Sequence, residues 1–433
     1  MSDPKRSALA STVGTALEWY DFALYGMASA LIFPYVFFPE MSGAYGVLVS
    51  FATFGVGFFA RPFGGLIVGS LGDKLWRRGM LFFTLVLMAV STTLIGLIPA
   101  YHIIGLWAPI LLVICRLGQG FAAGGEYSGA VLLSAEHAGK KNRGLFASIP
   151  GAGNALGSII ASLAIIAVKQ MPKEEIISWG WRIPFVASFV IGIVGIWIRI
   201  GVAESPEFNA AKATHPAKRL PLFEIIQRKP RNFIGAFLLS IGPNVTSYLP
   251  SAFALTYLVA HVGVDKSVGV MGVMICNFIK FITVPSAGAL SDKFGAKKVF
   301  LAGAFGLGVL MVPFFLLQST GEQGLIWLGM FLIYCLCNDA MLGAQAAMLS
   351  EAFPPHMRYT GMASSRELAG AIAGGTLPFI AVALQSSAGG EWWPIAVYAI
   401  SLAILAALGA LLLKQGHHDW KDQPTGNETA TEY

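Results

Sequence analysis

Gly69-Ser70-Leu71-Gly72-Asp73-Lys74-Leu75-Trp76-Arg77-Arg78 joins two long apolar segments, and Gly288-Ala289-Leu290-Ser291-Asp292-Lys293-Phe294-Gly295-Ala296-Lys297-Lys298 does the same about half a chain later. Both read Gly-x-Leu-x-Asp-Lys followed by a basic pair. A polar hairpin that recurs between apolar segments implies a duplicated chain. Two halves rocking about a shared midplane are a physical way to carry a solute through a bilayer.

Composition agrees with membrane burial. Hydrophobic residues make up 55% of the chain and charged residues only 12%. Apolar stretches of about 20 residues recur along the whole length, enough for a helix to cross roughly 30 Å of hydrocarbon. The formal charge of +6 does not point to nucleic acid, because the basic residues cluster in short loops beside the apolar stretches. The first twelve residues are polar and lack a secretory cleavage pattern, so the first apolar segment is expected to remain as a membrane helix. Cys115, Cys276, Cys335 and Cys337 all lie in apolar segments and read as small packing residues. No metal-ligand spacing, phosphate-binding loop or nucleophile–base set is present, so no metal, cofactor, ATP drive or enzyme activity is expected.

The expectation is an all-α membrane protein of twelve spans, with approximate limits at about 11–37, 47–71, 79–99, 106–134, 143–168, 181–200, 232–260, 267–291, 298–317, 324–350, 358–385 and 391–414. About 21 Lys and Arg fall on one side of these spans and about four, Lys169, Lys173, Arg182 and Lys266, on the other. The positive-inside rule then puts both termini in the cytoplasm, with the long loop between the sixth and seventh spans. The expected organisation is a six-helix bundle over 1–200, a linker over 201–231, a second bundle over 232–414 and a disordered tail over 415–433. A second echo supports duplication: Glu136 precedes Arg143, and Glu351 precedes Arg358, each by seven residues.

The repeated hairpins suggest a cytoplasmic gate. Gly69 and Gly288 let helices approach closely. Asp73 can pair with Arg77 or Arg78, or cap the positive end of a neighbouring helix. Asp292 with Lys297, and the pairs Glu136–Arg143 and Glu351–Arg358, complete the set. The alternative is ordinary topology-setting charge.

Ionisable residues inside spans are costly and are usually functional. Span 1 carries Glu18 and Asp21 at i, i+3, with Tyr25 continuing the face; span 2 carries Arg61; span 4 carries Arg116, Gln119 and Glu126. A carboxylate beside an arginine that exchanges partners can gain and lose a proton. Asp21 is the expected proton carrier and Arg116 its switching partner, against a static ion pair. Glu126 reads equally as a second titrating site or a structural acid, and Arg61 as a carboxylate ligand or a brace for span 1. In the second half Lys280, Asp339, Arg366 and Glu367 either pair with one another or offer a cation to a substrate. Tyr25, Gln119, Asn154, Asn244, Ser247, Tyr248, Tyr257, Asn277, Asn338 and Gln345 are the neutral candidates for substrate contact. The best cluster is Asn244-x-x-Ser247-Tyr248, which follows the helix-breaking Gly242-Pro243.

Glu18-Trp19-Tyr20-Asp21-Phe22, Arg61-Pro62-Phe63-Gly64-Gly65, the Asp73 hairpin and Arg116-Leu117-Gly118-Gln119-Gly120 leading to Gly124-Gly125-Glu126 carry a resemblance. Trp179-Gly180-Trp181-Arg182-Ile183-Pro184-Phe185 and Glu204-Ser205-Pro206-Glu207-Phe208 extend it. Together they resemble the metabolite:proton symporter group of the major facilitator superfamily over nearly the whole chain. Phe51–Phe58 and Phe253-Ala254-Leu255 look most like its shikimate-type members, and no coiled-coil tail of the osmosensing betaine type is present. The resemblance implies two pseudo-symmetric six-helix bundles around a midplane cavity, and an Asp in span 1 coupled to an Arg in span 4. The resulting expectation is a monomeric proton-coupled importer of a small organic acid, shikimate-like or a di- or tricarboxylate, in a bacterial-type inner membrane. Its partners would be the substrate, protons and lipid. Rival readings are a zwitterion or organic-cation carrier and a receptor without transport.

Overall fold

The computed structural model describes residues 4–41, 43–205, 207–210, 221–249 and 257–414. The tail over 415–433, Phe253-Ala254-Leu255 and the side chain of Tyr248 lie outside the described part. Long helices dominate: α1 (Pro4–Leu31), α2 (Gly43–Lys74), α3 (Arg77–Leu97), α4 (Trp107–His137), α5 (Arg143–Val168) and α6 (Arg182–Ile200) form the first half. The second half holds α7 (Pro230–Tyr248), α8 (Lys266–Phe294), α9 (Ala296–Ser319), α10 (Gln323–Ser350), α11 (from Arg358) and α12 (Trp393–Leu412). The fold is the all-helical, twelve-helix arrangement in two six-helix bundles that the hairpin repeat implies.

Among the described residues, nine helices are long and apolar enough to cross a membrane on those grounds alone. The other three have identifiable reasons for falling short. α1 carries Glu18 and Asp21 among Ser and Thr residues. α7 is described only as far as Tyr248, one residue before the described chain stops at Leu249. α11 is interrupted between Ala369 and Leu377 by a wide π-type turn over Gly370–Gly374. α10 contains a second such turn at Phe331–Asn338, and π-turns inside helices often mark functional sites. Apolar side chains face outward as well as inward: Trp197 and Phe305 each leave 75% of their surface exposed. That is the surface a hydrocarbon solvent demands.

Glycine sets how closely helices approach. A Cβ at Gly157 on α5 would run into the backbone of Ala16, Trp19 and Tyr20 on α1. Across the halves, α2 packs on α11 and α5 on α8, the two contacts related by the duplication. The first glycine of each repeated hairpin sits at these crossings. A Cβ at Gly69 would lie 2.8 Å from Thr360 Cα, and one at Gly288 would meet Ser148 and the Gly144 carbonyl. The copies differ at the turn itself, where Gly295 has φ +95° and its counterpart Trp76 has extended backbone at φ −162°. The basic pair after Gly295 therefore leaves the turn in another direction.

Candidate functional site

At one end of the bundle the halves are tied by charge. Asp73, ending α2, accepts the backbone N–H groups of Tyr359 at 3.2 Å and Thr360 at 2.8 Å, together with the Thr360 hydroxyl at 2.8 Å. It thus caps the N-terminus of α11 in the opposite half while pairing with Arg77 at 3.3 Å. Asp292, ending α8, caps α5 in the same way, accepting from Gly144 N–H at 2.7 Å and Leu145 N–H at 2.8 Å. Both alternatives raised for Asp73, the arginine partner and the helix cap, are realised.

Glu136 is the hub beside these caps. It accepts from Arg77 at 2.5 and 2.6 Å, from Arg358 of the other half at 2.7 Å, and from Ser205. Its repeat partner Glu351 is 38% exposed at the side chain and stands 3.7 Å from Arg143. Glu207, in the segment after α6, bridges Arg143 and Arg358 at 2.7 Å each. Burial opposes the Glu207 charge, but the Arg143 and Arg358 guanidinium groups prevail and hold its carboxyl below the usual range. Sequence reasoning quoted Glu207 without giving it a role. Two residues expected in this cluster do other work: Arg78 donates to the Ile200 carbonyl in its own half, and Lys297 donates to Leu413 at the end of α12.

Deep in the first half, Asp21 and Arg116 do not touch directly. Arg116 Nη1 donates to Gln119 Oε1 at 3.0 Å, Gln119 Nε2 donates to Thr92 Oγ1 at 2.6 Å, and Thr92 Oγ1 donates to Asp21 Oδ2 at 2.5 Å. The relay runs from cation to anion with every donor pointing the same way. The expected pair is replaced by this chain because Arg116 lies over the rings of Phe22, Tyr25 and Phe54, at 4.1, 4.3 and 4.8 Å, which hold its guanidinium aside. Ser188 supplies a second donor to Asp21, and Tyr25 is tied to Thr53 at 2.8 Å. Thr92 and Ser188 carry no signal in a sequence where hydroxyl residues are scattered through the spans. Glu126 pairs with Arg199 and accepts from Thr84 at 2.7 Å, all three side chains being buried. That geometry is the structural-acid alternative.

At the midplane, Arg61 joins three helices. Its Nη2 donates to Glu18 at 2.7 Å and its Nη1 stands 3.6 Å from Glu367 of α11, so the pair crosses the halves. Arg366 pairs with Glu367 and lies 3.9 Å over the ring of Tyr127 on α4. A cavity here is lined by Trp19, Phe58, Arg61, Asn154, Pro243, Asn244, Ser247, Leu342, Gln345, Arg366, Glu367 and Gly370. Trp19 Nε1 and Asn154 Oδ1 are buried without hydrogen-bond partners. Of the expected substrate contacts, Arg61, Asn154, Asn244, Ser247, Gln345 and Arg366 meet at this cavity.

The others lie elsewhere. Gln119 belongs to the Asp21 relay, and Tyr25 bonds Thr53 and lies under the Arg116 guanidinium. Lys280 pairs with Asp339 at 3.4 Å, and Asn338 donates to Asp339 at 3.0 Å while accepting from Thr246 at 2.7 Å. This cluster closes on itself inside the second half, with Lys280 also 3.8 Å over the Tyr334 ring. Tyr257 bonds Ser319 at 2.8 Å, and Asn277 is half-buried away from the cavity lining. Trp19, Phe58, Pro243, Leu342, Glu367 and Gly370 complete the lining without having been singled out as substrate contacts.

A family profile described as Major Facilitator Superfamily matches residues 22–378. The chain is 37% identical over 420 residues to the shikimate transporter of Escherichia coli (strain K12), covering 96% of this chain and 95% of that one. It is 32% identical over 421 residues to the proline/betaine transporter of the same strain, covering 95% and 83%. Among solved structures, the proton:xylose symporter XylE bound to 6-bromo-6-deoxy-D-glucose superposes with a TM-score of 0.77 at 16% identity, covering 94% of each chain. The inward-open xylose transporter XylE from E. coli gives 0.61 at 17% identity, covering 93% and 95%.

Proposed function

The chain belongs to the major facilitator superfamily, and on that premise we propose that it is a proton-coupled symporter importing a small organic acid by alternating access. It is a multi-pass membrane transporter and not an enzyme. The observation that carries the anionic substrate is the pair of guanidinium groups, Arg61 and Arg366, lining the midplane cavity. Their counter-ions come from the protein itself, so an incoming carboxylate meets donors already gathered and dehydrated. Relatives bearing the names shikimate transporter and proline/betaine transporter share a carboxylate-bearing substrate in those names, which fits the same feature.

The proton is assigned to Asp21. Among the described residues its buried carboxylate is linked to Arg116 through Gln119 and Thr92, so protonation breaks a hydrogen-bond relay rather than a direct ion pair. In the proposed cycle the bundles 1–200 and 232–414 rock about the midplane with 201–231 as linker, and the Asp73, Asp292, Glu136 and Arg358 contacts form the cytoplasmic gate. Glu126 serves as a brace with Arg199. The protein acts as a monomer in the inner membrane, with both termini in the cytoplasm. An inward proton brings about 2.3 kcal/mol per 100 mV, close to fifty-fold in solute concentration.

A zwitterionic substrate is the second reading, supported by Glu367 standing beside Arg366 at the cavity wall. Proteoliposomes under an imposed pH gradient test both, with shikimate, citrate and betaine as competing solutes. Proton-driven accumulation of an acid by the wild type, lost in Asp21→Asn, is the expected result. Undiminished accumulation in Asp21→Asn removes the coupling assignment, and accumulation of betaine alone selects the second reading.

A further inference from the structure

Glu18 is an acid that the Asp21 relay leaves unused. It lies one helical turn before Asp21, fully buried, and turns to another helix. Its Oε1 receives Arg61 at 2.7 Å, while its Oε2 is buried with no hydrogen-bond partner. Arg61 Nε is likewise buried and unpartnered. The Glu18–Arg61 bond therefore leaves one carboxylate oxygen and the guanidinium Nε without a partner. Arg61 lines the cavity and Glu18 stands behind it.

We infer that Glu18 and a substrate carboxylate compete for Arg61, and that Glu18 takes up a proton as the substrate binds. The inference rests on the organic-acid reading of the cavity. The exchange balances: the Glu18 carboxylate gains H⁺ from solution and becomes a neutral acid, its ion pair with Arg61 breaks, and the substrate carboxylate forms an ion pair with the same guanidinium. No charge is left over. The protonated Glu18 keeps a hydrogen-bonding role through its new O–H.

Charge counting within the cluster drives this. Glu18, Glu367, Arg61 and Arg366 sum to zero. A monoanion entering the dehydrated cavity would leave one uncompensated charge, and an isolated buried charge is expensive enough that groups neutralise instead. The charged groups acting on Glu18 are Arg61 on α2, Arg366 and Glu367 on α11, and Glu126 on α4, with Tyr127 of α4 also nearby. Glu126 is committed to Arg199 and Glu367 to Arg366. α5, packed along α1, offers no titratable group between Gly144 and Val168. Asp21, on the same helix, also acts on Glu18, but its hydrogen bonds go to Thr92 and Ser188. Among the described residues, Glu18 is the acid hydrogen-bonded to the guanidinium the substrate needs and to no other side chain.

Titration calorimetry of the purified full chain in two buffers of different ionisation enthalpy counts protons taken up per ligand bound. With shikimate as probe, the wild type should take up about one proton per carboxylate near neutral pH, and its affinity should rise up to about tenfold per pH unit of acidification. Glu18→Gln should bind shikimate with no proton uptake and a flat pH dependence. Asp21→Asn should keep this binding-linked uptake at Glu18, its defect lying in the turnover step assigned to Asp21 and not in binding. The uncharged methyl ester of shikimate should draw no proton into the wild type, a control that needs no variant. Undiminished uptake in Glu18→Gln, loss of uptake in Asp21→Asn, or no uptake by the wild type overturns the proposal. If none of shikimate, citrate and α-ketoglutarate binds the wild type, the organic-acid reading falls and takes this inference with it.

Discussion

Asp73 and Thr360 belong to different halves, yet the carboxylate of one accepts both the backbone N–H and the hydroxyl of the other at 2.8 Å. A bond of this kind exists only while these ends of α2 and α11 are together. Asp73→Ala leaves the first N–H groups of α11 without an acceptor, a loss of about 0.5–2 kcal/mol for a helix cap. Asp292→Ala removes the related cap on α5. Each variant should shift the population toward an open cytoplasmic end, and the double variant further. Spin labels on the α2–α3 and α10–α11 loops read the separation directly, and unchanged distance distributions would remove the caps from the gate.

Glu207 should make the same closure sensitive to acid. Its carboxyl lies below the ordinary value of 4.5 in the folded chain, so its stabilisation is complete above that value and disappears as pH falls through the lowered one. At neutral pH the contribution is present in full. The label separation in wild type should therefore widen only under acid, whereas Glu207→Gln should show the widened state already at neutral pH. A neutral-pH separation equal to wild type would assign the bridge no part in closure.

The relay from Arg116 to Asp21 depends on one hydroxyl. Thr92→Val keeps the shape and removes the only link between Gln119 and Asp21. A hydrogen bond to a charged group contributes about 1.5–3 kcal/mol, so proton-driven accumulation should drop roughly ten- to a hundredfold. Solute exchange without a gradient should persist, and Thr92→Ser should restore coupling. Equal loss of exchange and accumulation would mean that Thr92 serves packing alone.

Helix approach is tested by glycine. Gly157→Ala on α5 meets backbone on α1, which has no side chain to turn aside, and overpacking of this kind costs about 1–3 kcal/mol. Gly308→Ala on α9, with nothing within 4 Å of the added carbon, is the control. The first should lower the melting temperature of detergent-solubilised protein and the second should not.

What the sequence made legible follows from how each feature is encoded. The spans, the duplication and the Asp-Lys hairpins rest on local composition and spacing, and the structure places them as expected. Gln119 one turn from Arg116 was readable for the same reason. The partners of Asp21 were not, because Thr92 and Ser188 reach it from α3 and α6, and a hydroxyl in an apolar span is common. Arg61 was open between a brace and a ligand; it braces Glu18 and also lines the cavity, so the geometry is compatible with either role. Lys280 was readable as an intramembrane cation, but only the fold reveals that Asp339, Asn338 and Tyr334 enclose it. Glu207 follows α6 in an exposed-looking polar stretch, and nothing local marks that the chain returns there beneath both bundles.

Duplication gave the two halves matching glutamates, but Glu136 and Glu351 no longer bear equal loads. Glu136 is buried among two arginines and a serine, while Glu351 meets water and a single distant guanidinium. Fastenings of unequal strength release in a set order. If these contacts form the proposed gate, Arg143 should leave Glu351 before Arg358 parts from Glu136. An inherited symmetry in space would then become an asymmetry in time, with the weaker copy yielding at the start of the movement and the stronger one at its end.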